Sequence, residues 1–504
     1  MTSAARAALA AMAMAALGCG KVAHEPPPCA ANTDCDCSIE RRREDRSCCP
    51  AWSRALAGAC QPMTLRSAPG QRDLGPAGAR RVSIGIDDDG RAVVGWVTAN
   101  DQEARAVVAA ESAAGTFRLT EPFAAVGGQP TDLSLATGPG RRATVAVTVV
   151  ETKQPDESYV FVAERTDSGA WLGPTDRADR FSFLPRGTQP HVLRAPTGEV
   201  LVTWDQWAGD SYGVQIARKL PDSAWDRPKT AIEAVSHRVL YANSPRLAAA
   251  QNGDVLVSWY QAVRDAPPPA AGSLMAFVSE RSGLTGTFSV STGQDHLSVF
   301  GTDVGGQGAG SPRAAFSPVT GEAVCTWTQL DDEAKLRPYV AQRALGGPWQ
   351  RPKTLAASLG RSRGHVERLE VAFGARGTLV LAWTQEGPDG KVLYALRRSR
   401  QGEWLDSPDA PVRISLEGAK AGNLALATGH DGAIAIVWSE QTERGSALRL
   451  RRGWEGAGWD PPETLAEPER RADWPAVAFG GTPERMAIAW TEGILGRVFV
   501  SVLE

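Results

Sequence analysis

Three arginines, Arg246, Arg313 and Arg368, hold one place in a recurring pattern, 13 to 15 residues ahead of the tryptophans at 259, 327 and 383. His191 and Asn423 hold the same place ahead of Trp204 and Trp438. A guanidinium is a planar fork of donors that grips a carboxylate or phosphate through two parallel hydrogen bonds. Several of them brought to one radius would make an anion site. A second series stands two residues after a tryptophan: Gln206, Gln261, Gln329, Gln385, Glu440 and Glu492. Both series are expected to open onto the same face. If the second met the first, the arginines would tie neighbouring units together and leave no site. The candidate ligand-binding set is therefore His191, Arg246, Arg313 and Arg368, with Tyr241 from a nearby loop.

These residues are positioned by a repeat that begins near residue 74. A β-branched run ending in Trp recurs as AVVGW (Trp96), EVLVTW (Trp204), DVLVSW (Trp259), EAVCTW (Trp327), TLVLAW (Trp383), AIAIVW (Trp438) and RMAIAW (Trp490). A degenerate copy ends at Thr148, and the eight landmarks lie 52 to 68 residues apart. Each run follows a short strand and, in most units, a turn with Gly, such as Asp87-Asp88-Asp89-Gly90 or Asn252-Gly253, and most units go on to Gly-x-Trp-x-x-Pro or a relative. Four short strands per unit, repeated eight times, predict an all-β chain folded as an eight-bladed β-propeller, or seven blades if the Thr148 unit is not one. The last unit stops after its third strand, so an N-terminal strand should close the ring, and QPMTL at 61–65 matches the expected fourth strand. The landmark tryptophans are read as core wedges and Cys325 as buried in a strand. The row Arg165, Arg218, Arg281, Arg343 and Arg397 is read as solvated or packed along outer strands. Alternating strand direction puts the Gly turns on one face. The longer blade-to-blade loops at 173–189, 229–244, 289–311 and 354–367 fall on the other, carrying His237, Arg238, Tyr241, Asp295, His296, Arg361, Arg363 and His365. The Gly-rich stretch 301–312 within them has the composition of a mobile connection.

The front of the chain carries an address. Arg6 precedes an apolar stretch ending Ala16-Leu17-Gly18-Cys19, which resembles a bacterial lipobox with its Leu displaced by one place. The expectation is a signal over 1–18 and lipid attachment at Cys19, giving an exported protein of the bacterial envelope, with the outer membrane as its address. Cys29, Cys35, Cys37, Cys48, Cys49 and Cys60 form an even cluster, read as three disulfides with open pairing in a segment spanning 19–60, ahead of the propeller at 61–504. Zinc sites favour Cys-x2–4-Cys spacing, and none occurs. The net charge of −3 and the absence of a basic run argue against a nucleic-acid partner. There is no nucleotide loop, Ser-His-Asp triad or His-based metal motif, so no cofactor or metal is expected. Asp87-Asp88-Asp89-Gly90 reads as a hairpin turn rather than a calcium loop.

SPRLAAAQNGDVLVSWYQ (244–261), with the Gly-x-Trp-x-x-Pro-x-x-Leu that recurs between units, resembles the sialidase-like, Asp-box type of bacterial propeller. The resemblance is imperfect. Sialidases have six blades, the nearest Asp-box copy is Thr166-Asp167-Ser168-Gly169-Ala170-Trp171, and the family's early Arg-Ile-Pro motif is absent. It implies an arginine triad gripping a substrate carboxylate. For a hydrolase it implies a Tyr nucleophile, for which Tyr241 or Tyr260 paired with Glu367 are the candidates. Three functions follow: an envelope-anchored binding module for an anionic glycan or a protein partner, a sialidase-like glycoside hydrolase, or a structural component of the envelope.

Overall fold

In a computed structural model of the chain, the described residues are 53–56, 59–62 and 71–503, apart from 76–77, 99–103, 238–239, 263–273, 293–294, 300–311, 361–363, 388–389, 456 and 483. Cys19, Cys29, Cys35, Cys37, Cys48 and Cys49, the loop residues Arg238, Arg361 and Arg363, and nearly all of the Gly-rich stretch lie outside them, as does the side chain of Cys60. The chain divides into two compact units, Met1–Thr64 and Leu65–Glu504. In the first, Ser53–Leu56 pairs with Ala59–Pro62 as an antiparallel hairpin. No described helix is long and apolar enough to cross a membrane.

The second unit is an eight-bladed β-propeller, with eight antiparallel sheets among the described residues. From the channel outward, blade 1 runs Ala79–Ile86, Ala92–Thr98, Arg105–Glu111 and Phe117–Thr120, and blade 2 runs Gln129–Thr137, Ala143–Val150, Ser158–Arg165 and Trp171–Leu172. The Thr148 unit is thus a true blade. Innermost strands of the later blades are Gly187–Arg194, Ala242–Ala249, Arg313–Phe316, Val366–Phe373, Lys420–Thr428 and Asp473–Gly480, each touching the next until the last meets blade 1. Fourth strands are weak in blades 3 to 5, reduced to the bridges Arg218–Asp226 and Gln342–Gln350 and a Ser289 N–H to Glu280 O bond of 3.1 Å.

The second strand of every blade is buried on both faces because it is sandwiched between neighbouring blades. That is why it reads as a continuous apolar run rather than an alternating one. All seven landmark tryptophans are at most 1 % exposed. In four blades the indole faces an aromatic directly opposite on the third strand: Trp259 with Phe277, Trp327 with Tyr339, Trp383 with Tyr394 and Trp490 with Phe499, at 5.9 to 6.3 Å between ring centroids. Cys325 is fully buried in its strand, as expected.

An N-terminal strand does close the ring, but it is Arg72–Gly75, paired with Arg497–Leu503. Gln61 and Pro62 instead pair with Arg54 and Ser53. The pattern of QPMTL does not fix a fourth strand: the similar RPKTL (351–355) is not a strand and its Leu355 begins a 3-10 turn, whereas PPETL (461–465) enters the strand Glu463–Ala466. Leu74 is the residue that matters in the closing strand, buried against Trp96 and Val498 at the seam between blades 8 and 1.

The innermost strands share one irregularity. In seven blades the ladder to the second strand slips near its start, as between Thr188 and His191 or Asn243 and Arg246. At four of these bulges a residue other than glycine is left-handed: Arg81, Gln189, Ser244 and Trp474, with φ of 57°, 52°, 56° and 49°. Such a backbone costs about 1–2 kcal/mol for an L-residue. In three of them proline follows (Pro190, Pro245, Pro475), and a residue without an N–H leaves no ladder donor stranded.

Candidate functional site

The bulges turn successive residues into the mouth of the channel, where a cavity of about 960 Å³ is lined from all eight blades. His191, Arg246, Arg313, Arg368 and Asn423 all line it, together with Arg81, Asp132, His365, Glu367, Glu370 and Trp474.

The arginines differ sharply in what they touch. Arg313 is met by Glu370 of the next blade, with Nε to Oε2 at 3.3 Å and Nη2 to Oε1 at 3.4 Å. Arg81 is paired with Asp132 at 2.5 Å, and Glu367 is drawn away to Lys391 at 2.7 Å. Among the described residues Arg368 has no carboxylate; its guanidinium lies 5.6 Å from the ring centre of Trp474, two blades away across the mouth. Arg246 has none either. Among the described residues, its one hydrogen bond runs from Nη1 to the carbonyl of its own neighbour Pro245, at 2.9 Å. Burial, and then the positive charge of Arg313, push its guanidinium down to about 9, against partial relief from Glu370 and Asp205. Asp205 gives little relief, because its own burial raises it well above the usual carboxylate range and favours the neutral acid.

His191 has a structural half and a free half. Its Nδ1 accepts from the backbone N–H of Leu247 in the next blade at 3.2 Å, which leaves the proton on Nε2. Burial, then Arg246 and Arg313, hold its pKa well below 6.5, so the ring stays neutral. His365 is similar, with Nδ1 accepting from Leu336 N at 3.1 Å.

No family model matches the chain, and no curated protein matches it in sequence. Among solved structures it is similar to the polysaccharide lyase Uly1, at 11% identity over 92% of this chain and 95% of that one, with a TM-score of 0.43. A polysaccharide lyase PL25 ulvan lyase bound to -[GlcA(1-4)Rha3S]- matches at 12% identity over 71% and 89%, with a TM-score of 0.43. A protein of unknown function from Dyadobacter fermentans DSM 18053 matches at 12% over 63% and 94%, with a TM-score of 0.38.

Other expected residues lie elsewhere. Tyr241 is 43 % exposed and outside the cavity wall, its hydroxyl accepting from Asn243 Nδ2 at 3.1 Å and its ring edge-on to Tyr212. Tyr260 is buried between blades, and burial pushes its hydroxyl up to about 12. The cavity wall thus brings Glu367 to neither tyrosine. Asp295 closes its own loop, accepting from Ser291 Oγ at 2.9 Å, and His296 is buried edge-on to Phe277. In the Asp87 turn all three carboxylates are occupied, by Arg165 and Arg91 N, by Gly140 N, and by Arg141.

The Gln and Glu series does not open onto the face. Each side-chain oxygen accepts from the indole N–H of the tryptophan two residues before it, at 2.8 to 3.2 Å. Residues i and i+2 share a strand face, so the pair forms where it is read. In three glutamines the amide also donates to blade-to-blade loops, as Gln385 does to Gly360 O and Gly364 O at 3.2 and 2.8 Å. Blade 1 has Thr98 at this position, and among the described residues Trp96 Nε1 has no partner. The sequence reading missed Trp474, which is no landmark tryptophan. Its signal was the dipeptide that precedes the site position in five blades: Gln129-Pro130, Gln189-Pro190, Ser244-Pro245, Ser311-Pro312 and Trp474-Pro475.

Proposed function

We propose that this chain is an exported propeller, lipid-anchored at Cys19, that binds an anionic saccharide in the channel mouth. The observation that carries the reading is Arg246. Arg246 is half-buried in the cavity wall, and its one hydrogen bond among the described residues goes to a carbonyl. The neighbouring charge that acts on it most strongly is another arginine, so its fork of donors is left for an anion to take. A carboxylate or sulfate entering the cavity supplies the missing partner and finds Arg368 and the Nε2–H of His191 on the same wall. Trp474 offers an aromatic face on which a sugar ring can lie.

The test is calorimetric titration of galacturonate and of neutral galactose into the full chain and into Arg246→Met. Galacturonate should bind and galactose should not. Arg246→Met should weaken galacturonate about tenfold to a hundredfold, the range of one charge-assisted hydrogen bond. Equal binding by both sugars, or an unaffected variant, overturns the reading.

A further inference from the structure

A second cavity, of about 650 Å³, lies on the same face between blades 7 and 8. Its wall includes Gln441, Arg444, Arg471, Asp473, Thr491 and Ile494. It shares Asn423 and Trp474 with the channel-mouth cavity, so the two meet along a single ridge. That ridge is built: Asn423 Nδ2 donates to Asp473 Oδ1 at 2.8 Å across the seam, and Trp474 is held in its left-handed backbone by the bulge. Each cavity falls in or near the range of a complete small-molecule site, about 300–1,000 Å³.

The charges repeat from one cavity to the other. Arg444 is neutralised by Glu469, as Arg313 is by Glu370. Arg471, like Arg246 and Arg368, forms no ion pair among the described residues. It too is fixed by an uncommon backbone, left-handed at φ 52°, with its N–H donated to Pro468 O at 3.0 Å. Carboxylate-free arginines therefore stand on both sides of one aromatic ridge.

We infer that the ligand is a linear acidic polysaccharide rather than a single sugar acid. It would run from the channel mouth over Trp474 into the seam between blades 7 and 8, with one anionic group on Arg246 and Arg368 and a later one on Arg471. This rests on the anion-binding reading of the mouth and adds the path and the length.

The experiment is calorimetry with the full chain, using galacturonate, its trimer and its hexamer, and chondroitin sulfate di- and hexasaccharides to distinguish carboxylate from sulfate. Affinity should rise at least tenfold from the shortest to the longest member of one series. Arg471→Asn keeps a residue that tolerates the left-handed backbone. It should abolish that rise and leave the shortest member unchanged, whereas Arg246→Met should weaken every length. Equal affinity at all lengths, or a rise that survives Arg471→Asn, overturns the extended path while leaving the mouth intact. If no length of either series binds, or Arg246→Met has no effect at any length, the mouth reading itself fails and the path with it.

Discussion

The two faces of the ring treat arginine in opposite ways. On the face of the short turns, an arginine at or near a strand end reaches a carboxylate across the seam: Arg165 to Asp87, Arg281 to Glu199, Arg343 to Glu280, Arg398 to Glu322 and Arg485 to Glu111. Arg281 and Glu199 are at most 1 % exposed and meet as two forks, Nη2 to Oε2 at 2.5 Å. At the channel mouth Arg81 and Arg313 are paired, but among the described residues Arg246 and Arg368 have no carboxylate within ion-pairing distance. On the turn face these arginines complete the protein; at the mouth two of four leave something incomplete. Residue type alone does not separate these roles; the partner does.

The largest effect should come from breaking a completed pair. Arg281→Ala or Glu199→Ala alone strands a buried charge and should cost about 3–5 kcal/mol in denaturant unfolding, whereas an apolar pair at both positions should restore most of it. A small loss in both single variants would erase the contrast between the faces. Next is the tryptophan clasp: Gln385→Leu strands the Trp383 N–H, while the Gly364 carbonyl keeps Arg337 Nη1 as its donor, and should cost about 1–3 kcal/mol for the one buried group left unpaired. At the mouth the sign should reverse. Arg246→Met should leave stability unchanged or raise it, because it removes a charge that Glu370 and Asp205 compensate only in part. A clear loss of stability in that variant would make Arg246 a structural residue like Arg281.

A pH effect sharpens the comparison on the turn face itself. The seam between blades 7 and 8 sets two acids together there. Burial, and then Asp431, raise Glu484 from 4.5 to about 8. Its Oε1 accepts from His430 N at 2.5 Å. The stabilisation from the protonated form is complete below about 4.5 and lost as pH rises through 8. Melting temperature should therefore fall between pH 5 and 9, and Glu484→Gln should flatten that fall.

Much of the architecture was legible because the propeller repeats its local physics. Sandwiched second strands must be apolar, hairpins need a residue such as Gly253 at φ 86°, and each wedge is the largest side chain available. That His191, Arg246, Arg313, Arg368 and Asn423 would line one cavity was legible from register alone. What each would touch was not. Glu370 sits on the next blade 57 residues from Arg313, and no local pattern marks which arginine it will meet. The row Arg165, Arg218, Arg281, Arg343 and Arg397, read as solvated or packed along outer strands, is largely packed and buried, and its partners were hidden for the same reason: Glu199 is 82 residues from Arg281. The Gln series was misplaced because an i, i+2 contact to tryptophan satisfies it locally, before any neighbouring blade comes near.

The closing strand has a consequence for time as well as space. Arg72–Gly75 is made before every blade it closes, and its partner Arg497–Leu503 appears more than four hundred residues later. The first strand of the propeller to leave the ribosome is thus the last to find its place. Pairing so distant along the chain is slow to form, and until it happens the third strand of blade 8 carries an open edge that invites the wrong neighbour. The ring is an arc for most of its biosynthesis, and the final latch converts it into a closed object. A protein built this way depends on being kept apart from its own copies until the last seven-residue strand has emerged.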